Sequence, residues 1–290
     1  MSSPLGAPVV PARAGAGVPV RDAATIMLVR DGEAGLEVFM LRRNPASDFV
    51  AGAYVFPGGA VDPMDRQADL DAVSVGRQDA DASTLLGLDP PVGGLAYWVA
   101  GIRESFEEAG VLLAYDADGT IVDFRDPEVA ARFTAHRAAV DRGARRLVDV
   151  CLEEGLQLAV DRVHYFSHWI TPLGPTRRYD TRFFVARAPE WQSPLHDDRE
   201  TVANTWIRPV EALERSRRGE FDLILPTIRN LKAIARFDSA ATLLAAAAAI
   251  EEVPTVIPRV VKDSDGVRIL LPGDPGFDHA GRPLPAARRG

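Results

Sequence analysis

The segment Arg103–Val111, with the sequence RESFEEAGV, constrains this chain more than any other feature. On a helix, Glu104, Glu107 and Glu108 stand at i, i+3 and i+4, so three carboxylates share one face within a single turn. Carboxylates held that close repel one another, and a fold that keeps them together needs a compensating cation. A hard divalent ion such as Mg²⁺ or Mn²⁺ prefers oxygen ligands. The segment therefore predicts a metal site.

A glutamate-rich helix face is more often solvated surface than a metal site, so this prediction needs support from neighbouring segments. Gly110 follows the last turn of the predicted helix, where glycine is common, and an apolar run begins at Val111. Upstream, Phe56–Gly59 (FPGG) forms a tight turn that brings backbone carbonyls close to an ion. Together these features favour a metal-dependent enzyme that acts on phosphate groups.

The two segments resemble the signature of the Nudix hydrolase family, G-x5-E-x7-R-E-U-x-E-E-x-G-U, in which U is a bulky apolar residue. Arg103–Val111 matches the second half, except that Ser105 replaces an apolar residue. The first half starts at Gly59, and Asp65 stands where the family has glutamate. Residues 66–102 then separate the halves where the family has seven residues. A long insertion therefore splits the motif.

The fold class is predicted as α/β, because strand and helix patterns interleave without a regular βαβ rhythm. The resemblance implies an α/β/α sandwich of the Nudix type with a mixed sheet over roughly residues 22–237. Within it, residues 66–94 are the insertion, and residues 127–158 supply two extra amphipathic helices. Residues 1–21 are predicted as a disordered tail, and residues 238–290 as a C-terminal helical extension.

Apolar periodicity predicts a hairpin of Ala23–Arg30 and Leu36–Arg42, followed by the carboxylate-bearing helix Leu95–Ala109. The extra helices are predicted at Pro127–Arg142 and Arg146–Leu158. Later strands are predicted at Arg162–Ile170, Thr181–Ala188, Thr201–Arg208 and Gly266–Leu271, and later helices at Val210–Arg218, Pro226–Phe237 and Ser239–Glu251. The insertion leads directly into the helix that bears the carboxylates. It is therefore expected to lie at the mouth of the site and to act as a lid or specificity loop.

Glu104 and Glu108 are predicted as the main metal ligands, and Glu107 completes the cluster directly or through water. The backbone carbonyls of Gly58 and Gly59 are candidates for a further ligand. Bound divalent ions neutralise a pyrophosphate and lower the pKa of a bound water. Any carboxylate that binds no metal can deprotonate that water, so the sequence leaves the general base open.

Arg103 is predicted to pair with Glu107 or a neighbouring acid and so to hold its rotamer. The resemblance implies a further acid from a distant loop, for which Glu200 is preferred, although an ordinary acidic loop fits equally well. Asp65 is open to two interpretations, an ion-pair or metal partner and a simple turn residue, and the turn is preferred.

Phe39–Gly59 is similar to the segment that precedes this motif in the coenzyme A diphosphatases of the family. Arg43 and Gly52–Gly59 match that segment, whereas Asp48 stands where the group has arginine. The split motif and the run Arg177–Phe184 are similar to the peroxisomal branch of the group. The resemblance implies cleavage of coenzyme A or acyl-coenzyme A. Hydrolysis of ADP-ribose or NADH, and a metabolite-binding domain without catalysis, are the alternatives.

The predicted partner is a small nucleotide-type substrate. Arg42, Arg43 and Arg178, together with Gly58, are predicted to bind its phosphates, because guanidinium matches phosphate bidentately. For any single arginine, ordinary surface solvation is the alternative. A net charge of −8 argues against general nucleic-acid binding.

Cellular context is predicted from cysteine content and hydropathy. Cys151 is the only cysteine, so an internal disulfide is excluded and a reducing, cytoplasmic location fits. No apolar run reaches membrane-spanning length, so no membrane partner is expected. The resemblance leaves a homodimer open.

Overall fold

The computed structural model describes residues 18–46, 50–66, 69–194, 201–263 and 266–279. The described chain divides into two compact units. The larger unit comprises residues 23–167 and 182–253, and the smaller comprises the described parts of residues 1–22, 168–181 and 254–290.

The larger unit is built on a hairpin of two long strands, β1 (Val20–Gly32) and β2 (Gly35–Arg43). They pair antiparallel with Val29 opposite Val38, which confirms the predicted hairpin. The short strands β3 (Tyr54–Val55) and β4 (Gly58–Ala60) pair with β2 and β1 respectively. The two glycines of the predicted turn therefore belong to a short strand that pairs with β1.

The remaining strands extend this sheet and add a small separate ladder. Their bounds are Ala114–Tyr115 for β5, Gln157–Leu158 for β6, His164–Ile170 for β7, Arg178–Arg187 for β8 and Thr201–Ile207 for β9. The order β7-β8-β1-β2-β3 runs through the larger unit, with β9 paired to β2. Strands β5 and β6 pair antiparallel with each other in a separate ladder. Sheet and flanking helices agree with the predicted α/β class.

Helix α2 (Leu95–Ala109) is the central element of the larger unit and has the bounds predicted from the sequence. It ends at Gly110, whose φ of 70° is a left-handed conformation that glycine adopts without strain. Both faces are largely buried, and the indole N–H of Trp98 donates to the carbonyl of Val163 at 2.9 Å. The helix is therefore fixed in the core, and its backbone holds the carboxylate-bearing residues in fixed positions.

The insertion is part of the core, which differs from the lid expected at the site mouth. It contains a helix that sequence periodicity did not indicate, α1 (Asp79–Leu85). Leu70, Val73 and Ala82 are buried in the same hydrophobic cluster as α2. The carboxylate of Asp79 also accepts hydrogen bonds from the backbone N–H groups of residues 93 and 95, where α2 begins. The insertion therefore supports the start of α2.

Two helices follow where the sequence predicts them, α3 (Pro127–Asp141) and α4 (Leu147–Glu154). The second is shorter than the predicted Arg146–Leu158, because Gly155 ends it in a left-handed conformation and β6 follows. Cys151 is buried on α4, and burial raises the pKa of its thiol to about 12. This cysteine is a core residue.

The larger unit ends with three helices, α5 (Pro209–Arg217), α6 (Leu225–Ile234) and α7 (Ala240–Ala248), each close to its predicted range. Among the described residues, no helix combines the length and apolar character needed to cross a bilayer.

The described C-terminal part of the smaller unit includes the short strands β10 (Thr255–Val256), β11 (Arg259–Asp263) and β12 (Gly266–Leu270). Thr255 pairs in parallel with His168 near the end of β7, so the sheet is mixed, as predicted. Strand β11, which the sequence did not indicate, pairs antiparallel with the predicted β12.

Candidate active site

The three carboxylates of α2 face the diglycine turn and are largely withdrawn from solvent. Glu108 is 5% exposed and accepts a hydrogen bond from the backbone N–H of Gly58 at 2.9 Å. Glu104 lies against Gly59 so closely that a Cβ there would stand 2.3 Å from its Oε1 atom. The predicted meeting of the acidic turn and residues 58–59 is therefore present.

A Cβ at either glycine of this turn would overlap a neighbouring group. A Cβ at Gly58 would lie 2.5 Å from the hydroxyl oxygen of Thr25 on β1. A Cβ at Gly59 would collide with Glu104. Because neither glycine has a left-handed φ, close approach of other groups explains them.

The guanidinium of Arg103 forms hydrogen bonds to several carboxylates of the cluster. Its Nη1 donates to Oε1 of Glu104 at 2.9 Å and to Oε2 of Glu107 at 2.8 Å, so the predicted pair with Glu107 is present. Nη2 donates to the carbonyl of Ala60 at 2.8 Å, and Nε donates to Oδ1 of Asp65 at 3.0 Å. One buried guanidinium thus orients two of the three carboxylates and the strand β4, which contains both glycines.

Asp65 is an ion-pair partner of Arg103, so the preference for a simple turn residue was wrong. It does lie in a turn, the 3₁₀ segment Pro63–Arg66, and it accepts the backbone N–H of Asp62 at 2.9 Å. That turn places its carboxylate inside the protein, where 3% of the residue is exposed. An aspartate at this position therefore reaches Arg103 although it is shorter than the glutamate of the family motif.

The single charge of Arg103 does not neutralise all the carboxylates of the cluster. Burial raises the pKa of Glu104 to about 8 and that of Glu107 to about 7, although Arg103 opposes both shifts. Burial raises the pKa of Asp65 in the same way. Burial lowers the pKa of Arg103, but Glu104, Asp65 and Glu107 outweigh it and the net shift is upward. A divalent cation fits this oxygen-rich, under-neutralised donor set.

Two positioning interactions at the end of α2 were not found from the sequence. Arg137 on α3 donates from Nε to the carbonyl of Glu107 at 2.9 Å and from Nη2 to the carbonyl of Glu108 at 3.0 Å. An arginine at the C-terminus of a helix satisfies carbonyls that lack helical partners. Ser105, which departs from the family motif, donates its hydroxyl to the carbonyl of Val111 at 3.0 Å. No sequence motif predicts either contact.

A cavity of about 260 Å³ adjoins the cluster. Its wall includes Arg103 and Glu107 on α2 and most of the connection between α3 and α4. The connection contributes Arg142, Gly143, Arg145 and Arg146, and the acids Asp62, Asp65 and Asp141 also line the cavity. Among its described lining residues, neither Arg42 nor Arg43 appears. The cationic side of this cavity is therefore formed by a segment that sequence reasoning did not select.

The other predicted site residues lie elsewhere or outside the described chain. Arg42 is exposed at the end of β2, where its Nε approaches the carbonyl of Gly52 at 3.4 Å, and Arg43 donates its backbone N–H to Ala53. Arg178 belongs to the smaller unit, where Nε donates to the carbonyl of Thr171 at 3.1 Å. Glu200 lies outside the described residues. Their substrate and catalytic roles stay predictions.

A second group of potential ligands lies on α3 and α4. Single ligand atoms of His136, Glu153 and Glu154 lie within 4.8 Å of one another. Arg132 already pairs with Glu154, and Arg145 with Glu153. The carboxylates of this group are thus neutralised by the protein itself, in contrast to those of α2.

Comparison with known proteins decides the family. The model of the NUDT19 Nudix domain matches residues 89–234, which is half of the chain. The chain belongs to the Nudix family. The match begins after the first half of the motif, and the contacts of Gly58, Gly59 and Asp65 bring that half against residues of α2.

Individual relatives agree with this assignment. The acyl-coenzyme A diphosphatase NUDT19 of Homo sapiens is 28% identical over 269 residues, which cover 83% of this chain and 72% of the relative. The protein of the same name from Gallus gallus is 28% identical, with 88% and 79% covered. A crystal structure of a NUDIX hydrolase from Alicyclobacillus acidocaldarius superposes with a TM-score of 0.66 at 27% identity and covers 82% of this chain and 100% of that one. The predictions of a Nudix fold and a Nudix pyrophosphohydrolase are confirmed.

Proposed function

We propose that this Nudix domain hydrolyses the pyrophosphate bond of coenzyme A or acyl-coenzyme A with Mg²⁺ or Mn²⁺ bound at the α2 carboxylates. The observation that carries the proposal is the set of three largely buried glutamates, Glu104, Glu107 and Glu108, packed against a diglycine turn. The substrate class is taken from the diphosphatase relatives, which match over most of the chain.

The carboxylates of Glu104, Glu107 and Glu108 would hold the ion. When bound, a divalent cation neutralises the negative oxygens of the pyrophosphate and lowers the pKa of a bound water. The protein prepares this site by restricting the side chains: Arg103 fixes Glu104 and Glu107, and the N–H of Gly58 fixes Glu108. Such preorganisation reduces the rearrangement that binding requires.

In the proposed reaction, water attacks one phosphorus and the bond to the bridging oxygen breaks. The products are 4′-phosphopantetheine, or its acylated form, and adenosine 3′,5′-bisphosphate. A carboxylate that binds no ion accepts the proton of the water. The identity of this general base stays open, and Glu200 is the predicted candidate outside the α2 cluster.

The test is a product analysis over coenzyme A, acyl-coenzyme A, ADP-ribose and NADH with Mg²⁺ or Mn²⁺. We expect turnover on the coenzyme A substrates to exceed that on the others. Glu104→Gln and Glu108→Gln should each lower kcat more than a hundredfold, whereas Glu128→Gln on the exposed face of α3 should leave it within twofold. Hydrolysis of ADP-ribose or NADH alone would show that one of these, and not coenzyme A, is the substrate. No hydrolysis of any of the four compounds would indicate a metabolite-binding domain.

The cytoplasmic location and the homodimer stay predictions. Fractionation of cells that express the full chain and sedimentation of the purified protein would test them.

A further inference from the structure

The connection between α3 and α4 carries three arginines in five residues, with the sequence Arg-Gly-Ala-Arg-Arg at residues 142–146. All three arginines line the cavity of about 260 Å³ that Glu107 and Arg103 also line. Ligand pockets for a whole drug-sized molecule measure roughly 300–1,000 Å³. This cavity therefore accommodates one end of a nucleotide-type substrate beside the carboxylate cluster.

Two of these arginines are neutralised by acids that do not line the cavity. Arg146 donates to Asp69 at 3.0 Å and to Asp149 at 2.5 Å. Arg145 forms an ion pair with Glu153 and contacts Nδ1 of His136 at 3.1 Å. Both side chains are held in fixed positions and their charges are balanced within the protein.

Arg142 differs from both neighbours, because no acceptor for its guanidinium is found among the described residues. Its backbone is nevertheless held in a turn: the N–H of Gly143 donates to the carbonyl of Val140 at 2.8 Å, and that of Ala144 donates to Ala139 at 2.9 Å. Gly143 has a φ of 64°, which glycine adopts without strain. The turn thus places on the cavity wall an exposed arginine whose guanidinium has no hydrogen-bond or ion-pair partner among the described residues.

The remaining lining carries both signs of charge. Asp62, Asp65, Glu107 and Asp141 line the cavity with the arginines, but no hydrogen bond or ion pair joins any of them to Arg142 among the described contacts. Arg103 is fully engaged by Asp65 and by the glutamates of α2. The first turn of α4, at Leu147 and Val148, faces the same cavity, and its N-cap residue provides no side-chain cap. The positive end of the helix dipole adds to the field of Arg142 on this side.

We propose that Arg142 binds a phosphate monoester of the substrate, a group separate from the pyrophosphate that is hydrolysed. The inference rests on the proposed function, since coenzyme A carries such a monoester at its ribose 3′ position. A dianionic monoester matches an unpaired guanidinium in charge and in bidentate geometry. Residues 142–146 then form the specificity loop of the site, in place of the insertion expected to do so.

The insertion acts on this loop indirectly. Asp69, which belongs to the insertion, holds Arg146, and Arg146 is the last residue of the specificity loop. The ion pair fixes the end of the loop from which α4 starts. No described residue of the insertion lines the cavity. The insertion therefore acts on the loop by holding Arg146 in position.

The kinetic test compares coenzyme A with 3′-dephospho-coenzyme A in the full chain. Arg142→Ala should reduce the preference for coenzyme A, as the ratio of kcat/KM values, by about tenfold to a hundredfold, mainly through KM. Arg142→Lys should retain part of the preference. Arg218→Ala is the matched control, because Arg218 is exposed and pairs only with Glu220 at 2.7 Å among the contacts described. An unchanged ratio in Arg142→Ala overturns the proposal.

A binding test makes this outcome independent of turnover. Calorimetry with Mg²⁺ present would compare adenosine 3′,5′-bisphosphate with adenosine 5′-monophosphate. We expect the bisphosphate to bind at least tenfold more tightly to the wild-type chain, and Arg142→Ala to abolish the difference. Equal binding by the wild type, or a preference that survives in Arg142→Ala, overturns the proposal. An Arg142-dependent preference in a chain that hydrolyses nothing would reject the proposed function and retain this site.

Discussion

Arg103 and Asp65 form a buried ion pair, with 3.0 Å between Nε and Oδ1, across the insertion that splits the Nudix motif. Asp65 is the last residue before the stretch of residues 66–102 that separates the two halves of the motif, and Arg103 is the first residue after that stretch. The two halves of the motif are therefore joined in space by the residues that flank the break. This pair explains how a split motif still builds one carboxylate cluster.

Asp65→Ala should destabilise the protein by about 3–5 kcal/mol, because removing one partner leaves the buried charge of Arg103 without full compensation. Asp62→Ala is the matched control: the Asp62 side chain is 48% exposed and lies 3.8 Å from the same guanidinium. A surface pair of that kind contributes about 0–1 kcal/mol. Equilibrium unfolding in urea would measure both changes, and equal losses would contradict a special role for Asp65.

Gly59→Ala should abolish activity and weaken metal binding, because its Cβ would stand 2.3 Å from Oε1 of Glu104 and displace that carboxylate. Gly101→Ala provides the comparison within the larger unit. Its Cβ would meet Phe184 at an ordinary 3.7 Å, and alanine is favoured over glycine in a helix interior by about 1 kcal/mol. Steady-state kinetics and Mn²⁺ titration should therefore separate the two variants, and an active Gly59→Ala protein would disprove the steric argument.

The metal-free protein should lose stability as the pH rises from about 5 to 8. Burial raises the pKa of Glu104 from the ordinary 4.5 to about 8 and that of Glu107 to about 7, so the folded state holds protons more tightly than the unfolded state. The stability contributed by these groups is present below their unfolded pKa and disappears as the pH passes 7 to 8. Thermal unfolding with a chelator, for wild type and Glu104→Gln, would show a smaller pH dependence in the variant.

Divalent ions should reverse this loss, because ligands bind only when deprotonated. The rise in Tm caused by Mn²⁺ should therefore be larger at pH 8 than at pH 6. A rise of the same size at both pH values would argue against binding at these carboxylates.

Asp79→Ala tests whether the insertion is structural. Its carboxylate accepts from the N–H groups of Gly93 at 2.8 Å and Leu95 at 2.9 Å, so its loss should cost about 0.5–2 kcal/mol. We expect kcat per folded molecule to stay within threefold, because Asp79 does not line the cavity described at Glu107. Thr84→Ala on the same helix, where the hydroxyl bonds only to the carbonyl of Ala80 among the contacts described, is the control. A change of substrate preference without loss of stability would restore the lid hypothesis.

The helix Leu95–Ala109 was predictable to the residue, because a continuous apolar periodicity and a terminal glycine define it locally. Helix α1 and strand β11 were not predictable in the same way, since each is short and its apolar residues are scattered. The three glutamates followed from helical spacing alone. The role of Arg137 did not, because its partners are backbone carbonyls 29 and 30 residues away.

The sequence by itself determined that Glu104, Glu107 and Glu108 share one face of a helix, because the helical period acts between close neighbours. Only the tertiary structure decided that Asp65 meets Arg103 and that the 142–146 turn borders the same cavity. Contacts between distant residues depend on how the insertion and the extra helices pack into the core. That packing comes from the burial of many dispersed apolar side chains, and such a sum leaves no periodic signature in the chain.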